Sequence, residues 1–345
     1  MEIQVTLRNQ TPIFSAAPGD NRIDLDGNIN PPGMANFPLT RTRSMAVISE
    51  QAEGVMKPAY IPVVPSNTMR NLLRRTMLKE ILEPHLKGNV QLSISAYATA
   101  YSGSASGNPD GVPGTFDEVA QMRAHPFIGL FGGGPRMLQG RLMVDTLYPL
   151  HINAKRVLGE GFESDLINGK ITDIVWTRRV DPILQLQEES DTDVIQGGVT
   201  AANQWIQELL ASSKAKVGKA KGKNKEAEEE ASDGPRSLKA FNAHEVVVAG
   251  VNWLWRINAD KPTDAQIGLI LMALSKLSNQ RVAGGHAKNY GQVVVESIKL
   301  DGQEVWSAGQ LNDNATQHYC DALASALDGM TGEAFEAFAA SVKEA

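Results

Sequence analysis

The chain has 345 residues, 42% hydrophobic and 21% charged, with a formal net charge of −6 and one cysteine, Cys320. A chain this long forms one large domain or two modest ones, and near 300 residues it buries roughly 75% of the surface it would expose unfolded. One cysteine excludes an internal disulfide and fits a reducing cytoplasm; no run of about 18 apolar residues occurs, so neither a transmembrane helix nor a membrane partner is expected.

The opening MEIQVTLRNQ alternates, with Ile3, Val5 and Leu7 on one face. It reads as a strand over 2–8, not as the continuous apolar region of a signal peptide. Residues 9–40 are rich in Pro, Gly and Asn and read as loop. In 58–84, Ser66 is a candidate N-cap, and Met69, Leu72, Leu73, Met77 and Ile81 recur at helical spacing. Ser66, Arg70 and Arg74 share the other face at i, i+4 steps. There the free N–H groups, the helix dipole and two guanidiniums favour phosphate, although a plain basic surface helix would look the same.

VQLSISAYATAY (90–101) alternates as a strand, and 102–116 reads as a flexible loop. The triple glycine Gly132–Gly133–Gly134 and Arg136 precede an alternating strand from Gly140 to Leu150. Two β-like runs in 171–195, ITDIVW and ILQLQ, flank TRRVDP and read as a protruding hairpin. A short amphipathic helix around Trp205 follows over 200–212. Six lysines between Lys214 and Lys225 lead into EAEEEASDGP, so 214–235 reads as a disordered charged loop.

Residues 244–257 are strand-rich, and in 262–277 Thr263 and Gln266 fit a capping box. RVAGGHAKNYGQVVV (281–295) sets Gly284, Gly285, His286, Lys288, Asn289 and Gly291 directly before a run of valines. Glycines beside a strand imply a turn or a close backbone approach, and the cations among them imply an anion. Residues 314–345 are Ala-rich, with two helix-like segments and an acidic surface.

The main elements thus run strand, helix, strand, strand, then insertions, strand, helix, strand. That order is compatible with an α+β, ferredoxin-like (RRM-like) core enlarged by loops. The aromatic pair expected for base stacking on such a sheet is absent. Charge is segregated along the chain: residues 41–79 carry seven Lys/Arg against Glu50 and Glu53, residues 123–156 carry five against Asp145, and 301–345 carry one lysine against eight acids. Clustered cation matters more than the total for a polyanionic partner.

Catalytic signatures are few. There is no phosphate-binding P-loop, and GEGFES (159–164) lacks the third glycine of a dinucleotide fingerprint. HEVVV at 244 is not a zinc-protease motif, and the six histidines show no ligand spacing. Cys320 sits in an Ala-rich helix and reads as a packing residue. The expectation is a binding protein with no cofactor and no metal.

Three motifs taken in order resemble the repeat-associated mysterious protein superfamily: YIPVVPSNTMRNLLR (60–74), LFGGGPRMLQGRLMVDTLYP (130–149) and RVAGGHAKNYGQVVV (281–295). Within it, the length and the projection at 171–199 look like the Cas-seven backbone subunit of class 1 CRISPR effector complexes, and the divergent wording looks most like type IV. The resemblance spans about residues 1–300, with 301–345 as an acidic C-terminal helical segment.

The resemblance implies an RRM-like palm with inserted loops, a thumb at about 171–199 and helical polymerisation along one CRISPR guide RNA. It implies further copies of the chain, other CRISPR effector subunits and a target nucleic acid, DNA by preference, as partners. By position in the motifs, Ser66, Asn67, Arg70 and Arg74 meet the guide backbone, Gly284, Gly285, His286, Lys288 and Asn289 approach phosphate, and Gly132, Gly133, Gly134 and Arg136 line the same groove. Arg41, Arg43 and Ser44 join the RNA contacts. Arg178 and Arg179 hold phosphate in the thumb, while Ile183 and Leu184 wedge between nucleotides. VPS lacks the family's usual glycine, and Asn289–Tyr290–Gly291 lacks its usual arginine. Type III relatives cut target RNA with an aspartate shortly before Tyr-Ile-Pro; 40–59 offers Glu50 and Glu53 but no Asp. RNA cleavage is therefore not expected, the alternative being an endoribonuclease using His286, Glu50 or Asp26.

Overall fold

The computed structural model describes residues 1–19, 21–23, 29–30, 37–50, 54–103, 115–135, 138–179, 196, 198–201, 203–205, 207–208, 240–285 and 288–339. The chain divides into two compact units: Met1–Asp20 with Thr40–Ile174 and His244–Ala345, and Asn21–Leu39 with Val175–Ala243.

The first unit is built on β1 (Glu2–Asn9), α1 (Ser66–Thr76), β2 (Leu142–Val144), β3 (Tyr148–Pro149), β4 (Asn252–Ala259), α2 (Asp264–Ser275) and β5 (Val293–Leu300). These strands form one antiparallel sheet in the order β3–β4–β1–β5, with β2 also pairing β4 and the short strand Gln303–Glu304 beyond β5. Strand alternation sets its inner face: Ile3, Val5 and Leu7 are buried beside Trp253, Trp255 and Ile257. On the other side of β1, a register shift between Thr6 and Leu7 skips Glu296. The bulge changes the parity of β5, so Val293 and Val295 before it and Ile298 and Leu300 after it all turn inward.

α1 and α2 cover that inner face. Met69 and Leu73 are buried on α1, which runs on through a π-helical stretch, Met77–Leu82, and a final turn, Glu83–Leu86. Pro65, not Ser66, is the N-cap, and the helix starts at Ser66, one place earlier than expected; the Pro65 carbonyl accepts from the Thr68 and Met69 amides, and no side chain caps the end. α2 has the expected capping box between Thr263 and Gln266 and is buried along almost its whole length. Helix Asp313–Asp328 crosses it closely: a Cβ at Gly268 would lie 2.2 Å from the Tyr319 carbonyl oxygen. Helix Glu333–Ala339 then buries Phe335 and Phe338, so both expected C-terminal helices form.

Two strands of the sequence reading are corrected. Most of 90–101 is helix Ile94–Ser102, because the Ser93 hydroxyl caps the Ala96 amide and Ala96, Thr99 and Ala100 bury at helical spacing. The run 140–150 is broken into β2 and β3, between which Leu147 bridges Val64. An unanticipated hairpin pairs Ser44–Glu50 with Met56–Pro62. It packs Val47 and Ile61 with Leu150, Ala154 and Leu158 against Leu254, which points to the side of β4 opposite Trp253 and Trp255.

In the second unit, Asn21–Ile23 pairs with Ile29–Asn30 and with the strand Phe37–Thr40. Strand Thr172–Arg179 includes the first expected thumb run, and its neighbour is Ala240–Val247. The second run, 183–187, lies outside the described residues, as does the charged loop 214–235. Residues 198–201, 203–205 and 207–208 are helical. Among the described residues no helix is long and apolar enough to cross a membrane.

Candidate nucleic-acid interface

Past β1 the chain continues as an extended ribbon, 13–17. Its anchor is Asn9, fully buried, whose amide nitrogen donates to the Thr11 and Val248 carbonyls while its oxygen accepts from the Val251 amide and the Trp253 indole. All the hydrogen-bonding capacity of that side chain is used, which fixes where the ribbon leaves the sheet. Along one edge, Ile13 exchanges bonds with Val247, Ser15 accepts from the Arg43 amide and Ala17 donates to Arg41. Along the other edge, the Phe14 carbonyl accepts from the Gly284 amide at 2.9 Å. Three distant stretches of sequence, 41–43, 244–247 and 284–290, thereby meet at one ribbon.

Alternation sorts the side chains. Ile13, Ser15 and Thr42 are buried, whereas Ala16, Arg41 and Arg43 are exposed and Phe14 is half-buried. Arg41 pairs with the Glu245 carboxylate at 3.2 Å, and the same oxygen accepts from the Thr42 amide. Arg43 makes no side-chain bond among the described residues.

The glycine loop closes the other edge. Gly285 has φ +77°, and a Cβ there would lie 2.6 Å from the Tyr290 ring; Gly291 has φ +81°, with a Cβ 2.1 Å from the Val282 carbonyl oxygen. These two glycines answer to the loop's own packing. Lys288 is exposed and donates to His244 Nε2 at 2.5 Å. Burial, then Lys288, lowers the His244 pKa, and burial lowers that of Lys288. Phe14 meets the His244 ring edge-on at 5.2 Å and the Tyr290 ring at 6.5 Å. Asn289, exposed at φ +58°, accepts from Arg281 at 3.2 Å. The result is a surface with three cations, Arg41, Arg43 and Lys288, around the half-buried Phe14 ring and an imidazole, with Tyr290 buried beneath.

The expected outward pair on α1 is turned inward. Arg70 donates to the Leu142 and Phe131 carbonyls at 2.7 and 2.5 Å. Arg74 is 4% exposed, lies 4.6 Å from the Phe131 ring centroid and reaches the Ala100 carbonyl at 3.4 Å. Burial lowers the pKa of both, Arg74 to about 10 with Arg70 adding to the shift. The i, i+4 register placed them correctly on one face, but that face meets the Phe131–Leu142 segment, where main-chain carbonyls need donors. Arg75 and Lys79 are the exposed cations of this helix, both over the Tyr101 ring.

The triple glycine is likewise internal. Gly132, Gly133 and Gly134 all have positive φ, and Cβ atoms there would meet Leu138 O at 2.2 Å, Gly103 O at 2.3 Å and the Phe338 ring at 2.9 Å. Close approach is real at these positions, but the approaching groups belong to the protein. Ser44 and Asn67 are exposed and Ser66 half-buried. Arg178 and Arg179 end strand Thr172–Arg179. Arg136, Ile183, Leu184 and His286 lie outside the described residues, as do Glu53, Asp20, Asp24 and Asp26. Glu50 is exposed at the end of the 44–62 hairpin. Among the described residues no group of three His, Cys, Asp or Glu converges as a metal site.

Sequence reasoning missed Phe14, His244 and Arg281. The available signal was the apolar–small alternation of Pro12-Ile-Phe-Ser-Ala, hidden inside a Pro- and Gly-rich stretch. No family model matches the chain, and no curated protein matches it. Among solved structures, a chain of one described as a Type IV-B CRISPR Complex aligns with a TM-score of 0.47 and 14% identity, covering 92% of this chain and 98% of that one.

Proposed function

We propose that the chain is a guide-RNA-binding backbone subunit of a class 1 CRISPR effector complex, of the type IV kind. The single observation that carries the reading is the convergence of Arg41, Arg43 and Lys288 around Phe14 on a ribbon that continues the central strand. A phosphodiester chain lying there meets clustered cation beside one half-buried aromatic ring, a combination that single strands favour. Two further features support it. Counting β2 and β3 as one interrupted strand, the order β-α-β-β-α-β and the sheet order β3–β4–β1–β5 are compatible with a ferredoxin-like palm. The described parts of the three sequence motifs lie in the first unit: Arg70 of the first bonds Phe131 and Leu142 of the second, and the Gly284 amide of the third bonds Phe14 on the ribbon.

In this reading Arg41, Arg43, Ser44, Ser66, Asn67, Lys288 and Asn289 meet the guide, and Gly284 and Gly285 shape the loop that carries Lys288. Arg70, Arg74 and Gly132–Gly134 shape the palm beneath it. Copies of the chain polymerise along the guide, a thumb in the second unit interrupts it at intervals, and the exposed bases pair with target DNA. The chain itself does not cut RNA. Expression with and without a CRISPR array, followed by measurement of mass and of the 260/280 nm absorbance ratio, tests this. A large RNA-bearing particle that collapses to monomer on nuclease treatment is expected, and R43E/K288E in place of wild type should purify free of RNA. A nucleic-acid-free monomer in both cultures would overturn the proposal.

A further inference from the structure

At the opposite end of the sheet lies a second cationic concavity. The glycine loop sits by Asn9, while this pocket sits by Met1 and Glu2, seven residue steps away along β1, or about 24 Å. It has a volume of about 430 Å³, and Arg123, Arg141, Lys261, Asp260, Gly140 and Met143 line it. Arg123 and Lys261 are exposed, and their side chains have no protein partner among the described residues. Asp260 is the one carboxylate facing three cations.

One buried side chain assembles these walls. Gln266, 0% exposed, donates to the Arg123 and His125 carbonyls at 3.0 and 3.2 Å and accepts from the Thr263 amide. Its oxygen also lies 3.4 Å from Arg141 Nη1, which donates to the Lys261 carbonyl at 2.7 Å. Among the described residues, Arg141 Nε and Nη2 make no further protein bond. Gly140 permits the turn: a Cβ there would lie 2.4 Å from the Phe131 carbonyl oxygen. Three chain segments thus meet at this pocket, where three cations line it against one carboxylate, a balance that favours an anion.

We propose that this pocket is a second anion site, which takes a phosphate group carried on a nucleotide. Met143, 58% exposed on the same wall, offers apolar surface to the sugar or base. The phosphate comes either from a nucleic-acid strand or from a free nucleotide. The pocket stands apart from the glycine-loop surface, so either reading holds or fails without the other.

The test uses the full chain and its R123Q/K261Q and R43Q/K288Q variants. A labelled short single-stranded RNA is titrated at a series of salt concentrations, and calorimetry with ATP and with inorganic phosphate runs in parallel. If the source is a strand, R123Q/K261Q lowers the slope of log affinity against log salt by about 1.4, at about 0.7 per cation on a single strand. If the source is a nucleotide, wild type binds ATP and R123Q/K261Q loses that binding, with the RNA slope unchanged. R123Q/K261Q matching wild type in both arms overturns the pocket. R43Q/K288Q matching wild type on RNA overturns the glycine-loop surface instead.

Discussion

Replacing Arg74 with methionine tests whether this arginine serves the fold or a ligand. The guanidinium lies 4.6 Å from the Phe131 ring centroid, and its sole protein hydrogen bond among the described residues is the long one to Ala100. Losing the first costs roughly 0.5–2 kcal/mol and losing the second under about 1 kcal/mol. Against this stands desolvation. A pKa moved from 12.5 to about 10 corresponds to a penalty of about 3 kcal/mol on the charged form. The sign is fixed: below about pH 10 both folded and unfolded chains carry the charge, so the penalty is complete at neutral pH. Nε, buried without a partner, belongs to the same cost. Methionine fills a similar volume and keeps a sulfur–aromatic contact with Phe131 worth roughly 0.3–1.5 kcal/mol. R74M should therefore leave stability unchanged or raise it by up to about 2 kcal/mol, read by urea denaturation as a higher midpoint at constant slope. It should also retain RNA on purification. A loss of more than about 2 kcal/mol, or a folded variant without RNA, would refute the inward reading.

His125 is buried with its pKa lowered to about 4, and its Nδ1 accepts from the Phe127 and Ile128 amides. The folded pKa lies below the unfolded value of 6.5, so its stabilisation is complete above about pH 6.5 and falls by about 3 kcal/mol as pH drops to 4. H125N keeps an acceptor at that place, and urea midpoints against pH should flatten; an unaltered slope would dismiss His125 as the source. G291A should cost about 2 kcal/mol or more in thermal denaturation, since its Cβ has no room, whereas Gly302, at φ +84° with nothing within 4 Å, should bear alanine with a far smaller loss. Burial, then Asp321 and Asp313, raises the Cys320 pKa. Iodoacetamide should label it slowly at neutral pH and quickly in denaturant, and equal rates would contradict the placement.

The elements most legible in the sequence are those whose period and ends agree. α2 with its capping box carries both signals, whereas β1, α1, β5 and the two C-terminal helices are legible from period or composition alone. Residues 90–101 misled because a polar cap, Ser93, continued a two-residue alternation into a helix whose buried residues are small. The 44–62 hairpin escaped notice because its exposed face is also apolar: Ile48 and Tyr60 are 50% and 77% exposed, which erases the alternation. At the site, the cation positions and the glycines were legible, but not what each faces. Arg70 and Arg74 look the same in sequence whether they meet phosphate or carbonyl oxygen. Glycines 132–134 look the same whether nucleic acid or Gly103 approaches. Phe14 and His244, separated by 230 positions in the chain, meet through a ribbon that no local pattern announces.

The ribbon after β1 spells two messages in one stretch of chain. Ile13 and Ser15 face inward and answer to the fold, while Ala16 faces out and Phe14, half-buried on His244 and Tyr290, answers to both. Odd positions are therefore held more tightly than even ones. Because the backbone bonds that seat the ribbon use no side chain, related chains can rewrite its outer lettering, aromatic for basic or large for small, without renegotiating the core. New surface preferences are reachable there by single substitutions.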